Sequence, residues 1–279
     1  MWFVLSLIVG LTFAANRLII RAVFTKYQSP MMFGAVHEII AGLLLLPIGL
    51  YYFSLPQSPQ IWIALLSGLF LIFLTDFFSF LSLRNLETSL YQIINQLRHV
   101  IVLITAYFLF TEQITFIKII SIALITFGIV VALKGKSKIE INKSTIYAFL
   151  ATICISFGLL FIKMASVDVS PAFSASLGFI ISGVLIYLFA KVREKPVHLL
   201  PNILHKELFI SAGLFAVFEL CLFAALAIGE ASKVIPVTQS SMIFTLVGGY
   251  VFLNERTQII QKVIGCTLIA VGIILLYFI

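Results

Sequence analysis

Ten apolar stretches, each close to twenty residues long, leave this chain little to fold into except a bundle of membrane-crossing helices. A helix rises 1.5 Å per residue, so about 20 apolar residues cross the ~30 Å hydrocarbon core of a bilayer. The stretches fall at 2–24, 31–53, 61–83, 88–110, 114–133, 145–165, 171–190, 207–228, 232–253 and 258–279. None alternates apolar with polar residues as the strands of an outer-membrane barrel do. The expected fold is therefore an all-α membrane protein with ten transmembrane helices. The first stretch has no basic n-region, and its polar Asn16, Arg17 and Arg21 lead to no small-residue cleavage site. It is expected to stay in the mature protein rather than leave as a signal peptide.

The stretches form two sets of five. At an offset of 143 residues Glu87 meets Glu230, Ser89 meets Ser232, Gln96 meets Gln239, Tyr107 meets Tyr250, Glu112 meets Glu255 and, further upstream, Asp76 meets Glu219. Beyond Glu112 the register slips by one, so that Lys118, Leu124 and Gly128 meet Lys262, Leu268 and Gly272. Ser29-Pro30 and Ser170-Pro171 each open a stretch with an N-cap residue and a proline at the first helical position. The lysine-rich linker from Lys134 to Lys143 divides the sets, placing the first repeat at 1–137 and the second at 138–279. Five helices per repeat is an odd number, so the second copy enters the membrane upside down. Two inverted five-helix repeats of this kind hold their ligand between the halves, near the bilayer midplane.

With 62% hydrophobic and 10% charged residues and a mean hydropathy of +1.17, the chain lies far outside the composition of a soluble domain. Its net charge of +7 does not point to nucleic acid, because the cations sit in short loops next to the membrane. The face holding the loops between spans 1 and 2, 3 and 4, 5 and 6, 7 and 8, and 9 and 10, called side A, carries twelve Lys and Arg residues; side B carries only Lys118, Lys163 and Lys233. The positive-inside rule then makes side A cytoplasmic and turns both termini outward, in a multi-pass protein of the inner (cytoplasmic) membrane. Cys154, Cys221 and Cys266 lie in three different spans without metal-site or disulfide spacing and read as packing residues.

Ionisable groups inside a bilayer are costly and mark ligand or ion paths. Counted from the side A ends, Arg17, Glu38, Asp76 and Arg98 fall at similar depth, roughly 10–15 Å in. Glu219 and Gln239 occupy the middle and first third of spans 8 and 9. His37 adjoins Glu38 and is a residue type able to titrate in the useful range, while Asn95 and Gln96 add amides to span 4. Asn95, three residues before Arg98, shares its helical face and with it suits a carboxylate, which the arginine fork grips with two donors. The candidate substrate-binding set is thus Arg17, His37, Glu38, Asp76, Asn95, Gln96, Arg98, Glu219 and Gln239, and Asp76 and Glu219 offer a route for protons. The plainer alternative is that Arg17 pairs with Glu38, or Asp76 with Arg98, only to hold helices together. Pro236 is expected to break or kink span 9 beside Gln239. Glu112 and Glu255, at membrane ends, are expected to cap the turns into helices 5 and 10.

The ten-helix layout, the duplication, and the phrases Phe110-Thr111-Glu112 and Leu253-Asn254-Glu255, each followed by a helix with a late glycine (Gly128, Gly272), resemble the EamA branch of the drug/metabolite transporter superfamily. The resemblance covers essentially the whole chain. It departs at Phe13-Ala14, where the family usually opens with Trp-Gly, at His37-Glu38, where Arg-Phe is frequent, and at Arg98-His99, near a common proline. It implies cytoplasmic termini, the opposite of the charge distribution, which is the reading kept. With it, the site residues lead to a secondary transporter exporting amino acids or similar small charged metabolites by alternating access, with protons as a candidate coupling ion. The alternatives are a multidrug exporter of hydrophobic cations and, behind it, a lipid-carrier flippase. No His-Glu-x-x-His or Gly-x-Ser-x-Gly occurs and Asp76 is the one aspartate within a span, so an enzyme is not expected. The expected partners are a small-molecule substrate and the lipid bilayer, with no cofactor, no metal and no nucleic acid, in a monomer or homodimer.

Overall fold

The computed structural model describes residues 1–24, 30–83, 86, 88–133, 142–193, 206–252 and 259–278. Among them lie twelve helices: α1 Trp2–Phe24, α2 Pro30–Tyr51, α3 Pro59–Leu83, α4 Thr88–Asn95, α5 Leu97–Phe110, α6 Phe116–Leu133, α7 Lys143–Ala165, α8 Pro171–Arg193, α9 Lys206–Ile228, α10 Ala231–Val237, α11 Ser240–Phe252 and α12 Ile259–Tyr277. They make ten spans long and apolar enough to cross a membrane, because α4 with α5 and α10 with α11 each form one. Glu87, Glu255, most of the linker from Lys134 to Lys143, and the side chains of Arg21 and Ser89 lie outside the described residues.

The packing carries the inverted symmetry. Span 2 lies against span 7 and span 5 against span 10, so each of these pairs maps onto itself when the halves are exchanged. Span 3 packs on span 6 as span 1 packs on span 8, and span 4 touches span 6 as span 9 touches span 1. No span is matched mainly to its sequence neighbour; the two repeats interlock. Small residues make this approach possible, as expected where lipid supplies no hydrophobic force between helices. A Cβ on Gly42 would come within 3.0 Å of the Ser176 carbonyl, and one on its repeat mate Gly183 within 2.8 Å of the Ala35 carbonyl. The Ser176 hydroxyl donates to the Gly42 carbonyl at 3.0 Å, fastening the same crossing. On the second self-matched pair, a Cβ on Gly128 would lie 2.8 Å from the Gly265 carbonyl.

Spans 4 and 9 are both discontinuous, at matched glutamines. The fourth was expected to be one helix; it stops at Asn95, turns at Gln96 and restarts at Leu97. The ninth turns at Thr238 and Gln239, directly after Pro236, as the proline led one to expect. Tight three-residue bonds close both turns: the Gln96 amide donates to the Ile93 carbonyl at 3.1 Å and the Gln239 amide to the Pro236 carbonyl at 3.0 Å. Ile93 stands where the second repeat has Pro236, so the break belongs to the repeat and not to the proline.

At side B the polar residues close ranks. Glu112 does not cap the following helix, as its position suggested. It reaches across the repeat boundary and accepts from the amides of Ala231 at 2.8 Å and Ser232 at 3.0 Å, and from the Ser232 hydroxyl. A carboxylate at a helix N-terminus satisfies orphan donors and complements the helix dipole, but the helix it serves here is α10 of the other half. Thr111 adopts a left-handed conformation (φ 54°, ψ 28°), the one non-glycine residue among those described with positive φ. That conformation is unfavourable for a β-branched side chain. Lys118, 1% exposed, bonds the Gln113 carbonyl at 2.8 Å, the Ser232 hydroxyl at 3.2 Å and the Glu230 carboxylate. Lys163 donates to the carbonyls of Leu226 at 3.2 Å and Gly229, and lies 3.6 Å from Glu112. Lys233 pairs with Glu230 at 3.1 Å. All three side B lysines are therefore held, and each touches the second repeat.

Candidate functional site

Helix pairing across the repeats brings the intramembrane acids together. Glu38 on α2, Asp76 on α3 and Glu219 on α9 stand near enough for Asp76 and Glu219 both to act electrostatically on Glu38. Glu38 and Glu219 are buried, and Asp76 accepts a hydrogen bond from Ser182 on α8 at 3.1 Å. One Glu38 carboxylate oxygen, Oε2, is buried with no partner. Three like charges in one low-dielectric site repel strongly, so such a group must share protons or be met by a cation.

Two guanidinium groups carried by first-repeat helices are linked to this cluster through Tyr91, on which Asp76 also acts. Arg17 on α1 lies over the Phe13 ring, 4.8 Å from its centroid. Arg17 and Arg98 on α5 act electrostatically on one another and on Tyr91 of α4. The Tyr91 hydroxyl lies 2.6 Å from the Ser79 hydroxyl, which donates to the Thr75 carbonyl at 2.6 Å. Among the described residues no carboxylate is within 4.0 Å of Arg17 or Arg98. The plainer alternative of helix-fastening pairs, Arg17 with Glu38 or Asp76 with Arg98, is not formed.

The broken fourth span changes how Asn95 and Arg98 relate. The turn at Gln96 falls between them, so the shared face of a continuous helix does not apply. Both keep a buried polar atom without a partner, Asn95 Oδ1 and Arg98 Nε, and His99 Nδ1 is in the same condition. Gln96 is buried and internally satisfied: its amide donates to the Gln92 carbonyl at 2.8 Å and its oxygen lies 3.1 Å from His99 Nε2. Gln239 is buried at the matched turn, and beside it Ser240 Oγ has no partner. Buried unsatisfied groups each cost about 1–3 kcal/mol and call for an explanation such as a bound ligand.

His37 turns away from the acids toward α9. Its Nε2 lies 2.9 Å from the hydroxyl of Ser211, which donates to Asn16 on α1. Its ring packs on Phe215, centroids 5.0 Å apart, and Phe215 continues through Phe179 (4.9 Å) and Phe218 (5.3 Å) to Phe13 (5.0 Å from Phe218). This aromatic wall joins the His37 and Arg17 ends of the site. Sequence reasoning did not single out Ser182, Ser211, Tyr91 or these phenylalanines. The two serines were findable as polar residues in apolar helices, whereas 27 phenylalanines offered no means of choosing four or five. Two open clefts lie elsewhere, at side B: one of about 560 Å³ beside Tyr52, Asp168 and Leu220, and one of about 340 Å³ beside Phe110, Lys163 and Ala227.

The sequence profile of the EamA-like transporter family matches residues 1–134 and, separately, 142–278. A solved structure described as a crystal structure of a protein is similar in fold, with a TM-score of 0.77 at 15% identity over 99% of this chain and 98% of the other. Comparison with curated proteins gives no match.

Proposed function

The chain belongs to the EamA-like transporter family, and on that footing we propose that it exports amino acids or similar small charged metabolites across the inner membrane by alternating access, in exchange for protons. The first repeat is taken as 1–137 and the second as 138–279, with the substrate between them. The observation that supports this reading is that Tyr91 lies within electrostatic reach both of Asp76, one of the three clustered acids, and of Arg17 and Arg98, two guanidinium groups with no carboxylate within 4.0 Å among the described residues. Arg98, with Arg17, takes the substrate carboxylate; Glu38, Asp76 and Glu219 take its ammonium group and the exchanged proton. Asn95, Gln96 and Gln239 line the two helix breaks, and His37 positions the aromatic wall against the substrate's apolar part.

Uptake of an amino acid and of its decarboxylated amine into proteoliposomes tests this directly. Arg98→Lys keeps the charge but loses the planar fork. Apparent affinity for the amino acid is expected to fall by about 1.5–3 kcal/mol, the scale of a charge-assisted hydrogen bond, with the amine little changed. Equal losses for both ligands would remove Arg98 from the substrate. A second reading, export of hydrophobic cations, draws on the Phe13–Phe218–Phe215–Phe179 wall beside the acids; it requires the amine to be carried better than the amino acid in the unsubstituted protein.

A further inference from the structure

The hydrogen bonds at the break in span 4 fix the polarity of His99. The Gln92 carbonyl can only accept, so the end of the Gln96 side chain that meets it at 2.8 Å is the NH2 group, and the other end, an oxygen, lies 3.1 Å from His99 Nε2. That oxygen also only accepts. Nε2 therefore carries a proton, and in the neutral ring Nδ1 is a bare acceptor. A proton on Nδ1 as well would set two cations on the adjacent residues Arg98 and His99, in a low-dielectric interior where like charges repel strongly. His99 is 1% exposed, and its Nδ1 is buried without a partner among the described residues. An acceptor kept in that condition is costly and calls for a donor from outside the fold.

The turn itself does not need the imidazole. In the second repeat Met242 stands at the position of His99, and the turn there closes by the same backbone bonds: the His99 amide donates to the Gln96 carbonyl at 3.0 Å and the Met242 amide to the Gln239 carbonyl at 2.9 Å. Met242 packs against an apolar cluster that includes Val237. His99 also faces the other half. With Val102 and Ala106 it makes the buried stripe of α5, and those two residues share one core cluster with Leu159 of α7 and Val234 and Ile235 of α10. It heads that stripe near the middle of the span Leu90–Phe110, beside Arg98, whose charge acts on it. Asn95 Oδ1, across the turn, is a second buried acceptor without a partner.

We infer that His99 is a further substrate-contacting residue and sets a preference: its Nδ1 accepts a hydrogen bond from a hydroxyl or amide N–H on the substrate's side chain, favouring donor-bearing substrates over aliphatic ones of the same shape. The inference rests on the proposed transport of amino acids and names which of them the site prefers. A site built to bond a substrate hydroxyl or amide discriminates against the analogue that lacks it, because its own polar group is then left unpaired.

Two replacements separate this role from a structural one, since each keeps one end of the ring. His99→Gln can donate to Gln96 from the place of Nε2 and has no acceptor at Nδ1; His99→Asn keeps an acceptor at Nδ1 and cannot reach Gln96. Proteoliposomes containing the full chain are loaded with an equimolar mixture of the common amino acids, and efflux is read by mass spectrometry. From the unsubstituted protein, serine, threonine, asparagine and glutamine are expected to leave about tenfold faster than alanine, valine, leucine and methionine, the scale of one hydrogen bond. His99→Gln is expected to abolish that preference at a melting temperature close to the parent's, and His99→Asn to rescue it at a lower one. A preference that is absent from the unsubstituted protein, survives in His99→Gln or falls only in step with stability overturns the inference. A second measurement needs no substrate. After Cys154, Cys221 and Cys266 are replaced by alanine, His99→Cys is expected to react with aminoethyl methanethiosulfonate, a small polar thiol reagent, whereas Val102→Cys, about one turn along the same stripe, is not. An unreactive His99→Cys also overturns the inference. Reaction there in a protein that carries none of the amino acids keeps His99 on the ligand path and removes the proposed substrate instead.

Discussion

Glu230 shows how one carboxylate is tuned at the membrane edge. Partial burial pushes its pKa up, but hydrogen bonds and charge attraction from Lys118 and Lys233 outweigh that and hold it below the ordinary carboxylate range. A depressed pKa means that the group stabilises the folded state above its unfolded value, near 4.3, and that this stabilisation is lost as pH falls through the lower folded value. Thermal unfolding in detergent between pH 7 and pH 3 is therefore expected to lose a component in the unsubstituted protein that Glu230→Gln lacks throughout. Parallel pH curves for the two proteins would show that the pair with Lys118 contributes nothing to stability. Lys118 itself, long and almost fully buried, depends on this partner, because a lone ammonium in that position is costly.

At the scale of the helix, the broken fourth and ninth spans govern what the site can present. A proline precedes one break and is missing from the other, where Ile93 fills its place, so it is not the common cause. Pro236→Ala is accordingly expected to leave the turn at Thr238–Gln239 intact, with the amides of Gln239 and Met242 exchanging hydrogen as before; strong new protection of a straight α-helix there would make the proline the cause. The ten spans were readable because twenty apolar residues have few other fates in lipid, and Asp76 with Glu219 because charge there is conspicuous. The break at Gln96 was not readable: it carries no proline or glycine, and the turn is settled by packing against the other repeat. Glu112 was misjudged for a similar reason. Local rules assign a carboxylate to the nearest helix start, whereas its partners lie 119 and 120 residues away. The separation of Asn95 from Arg98 follows from the unseen break.

For the whole molecule, the engaged state of the side B lysines bears on orientation. Lys118, Lys163 and Lys233, the three cations of side B, are all tied to the protein, while the twelve cations counted on side A are the ground for taking that side as cytoplasmic. A cysteine placed between Lys134 and Lys143 is expected to resist an impermeant thiol reagent in intact cells, and one at the C-terminus to react; the reverse pattern would turn the molecule over.

The crossing of spans 2 and 7 at Gly42 and Gly183 sets the kind of motion such a molecule can make. Both glycines fall near the middle of their helices, about 15 Å from either surface of the hydrocarbon. The close approach runs on from Ala35 to Gly49 along span 2, with Ile180 and Ile39 seated over the two glycines and Phe173 against Gly49, so the two spans form one tightly joined pair. For the proposed alternating access, this pair would be the post about which the other spans turn, and a single rigid rotation about such a post narrows one mouth by the amount that it widens the other.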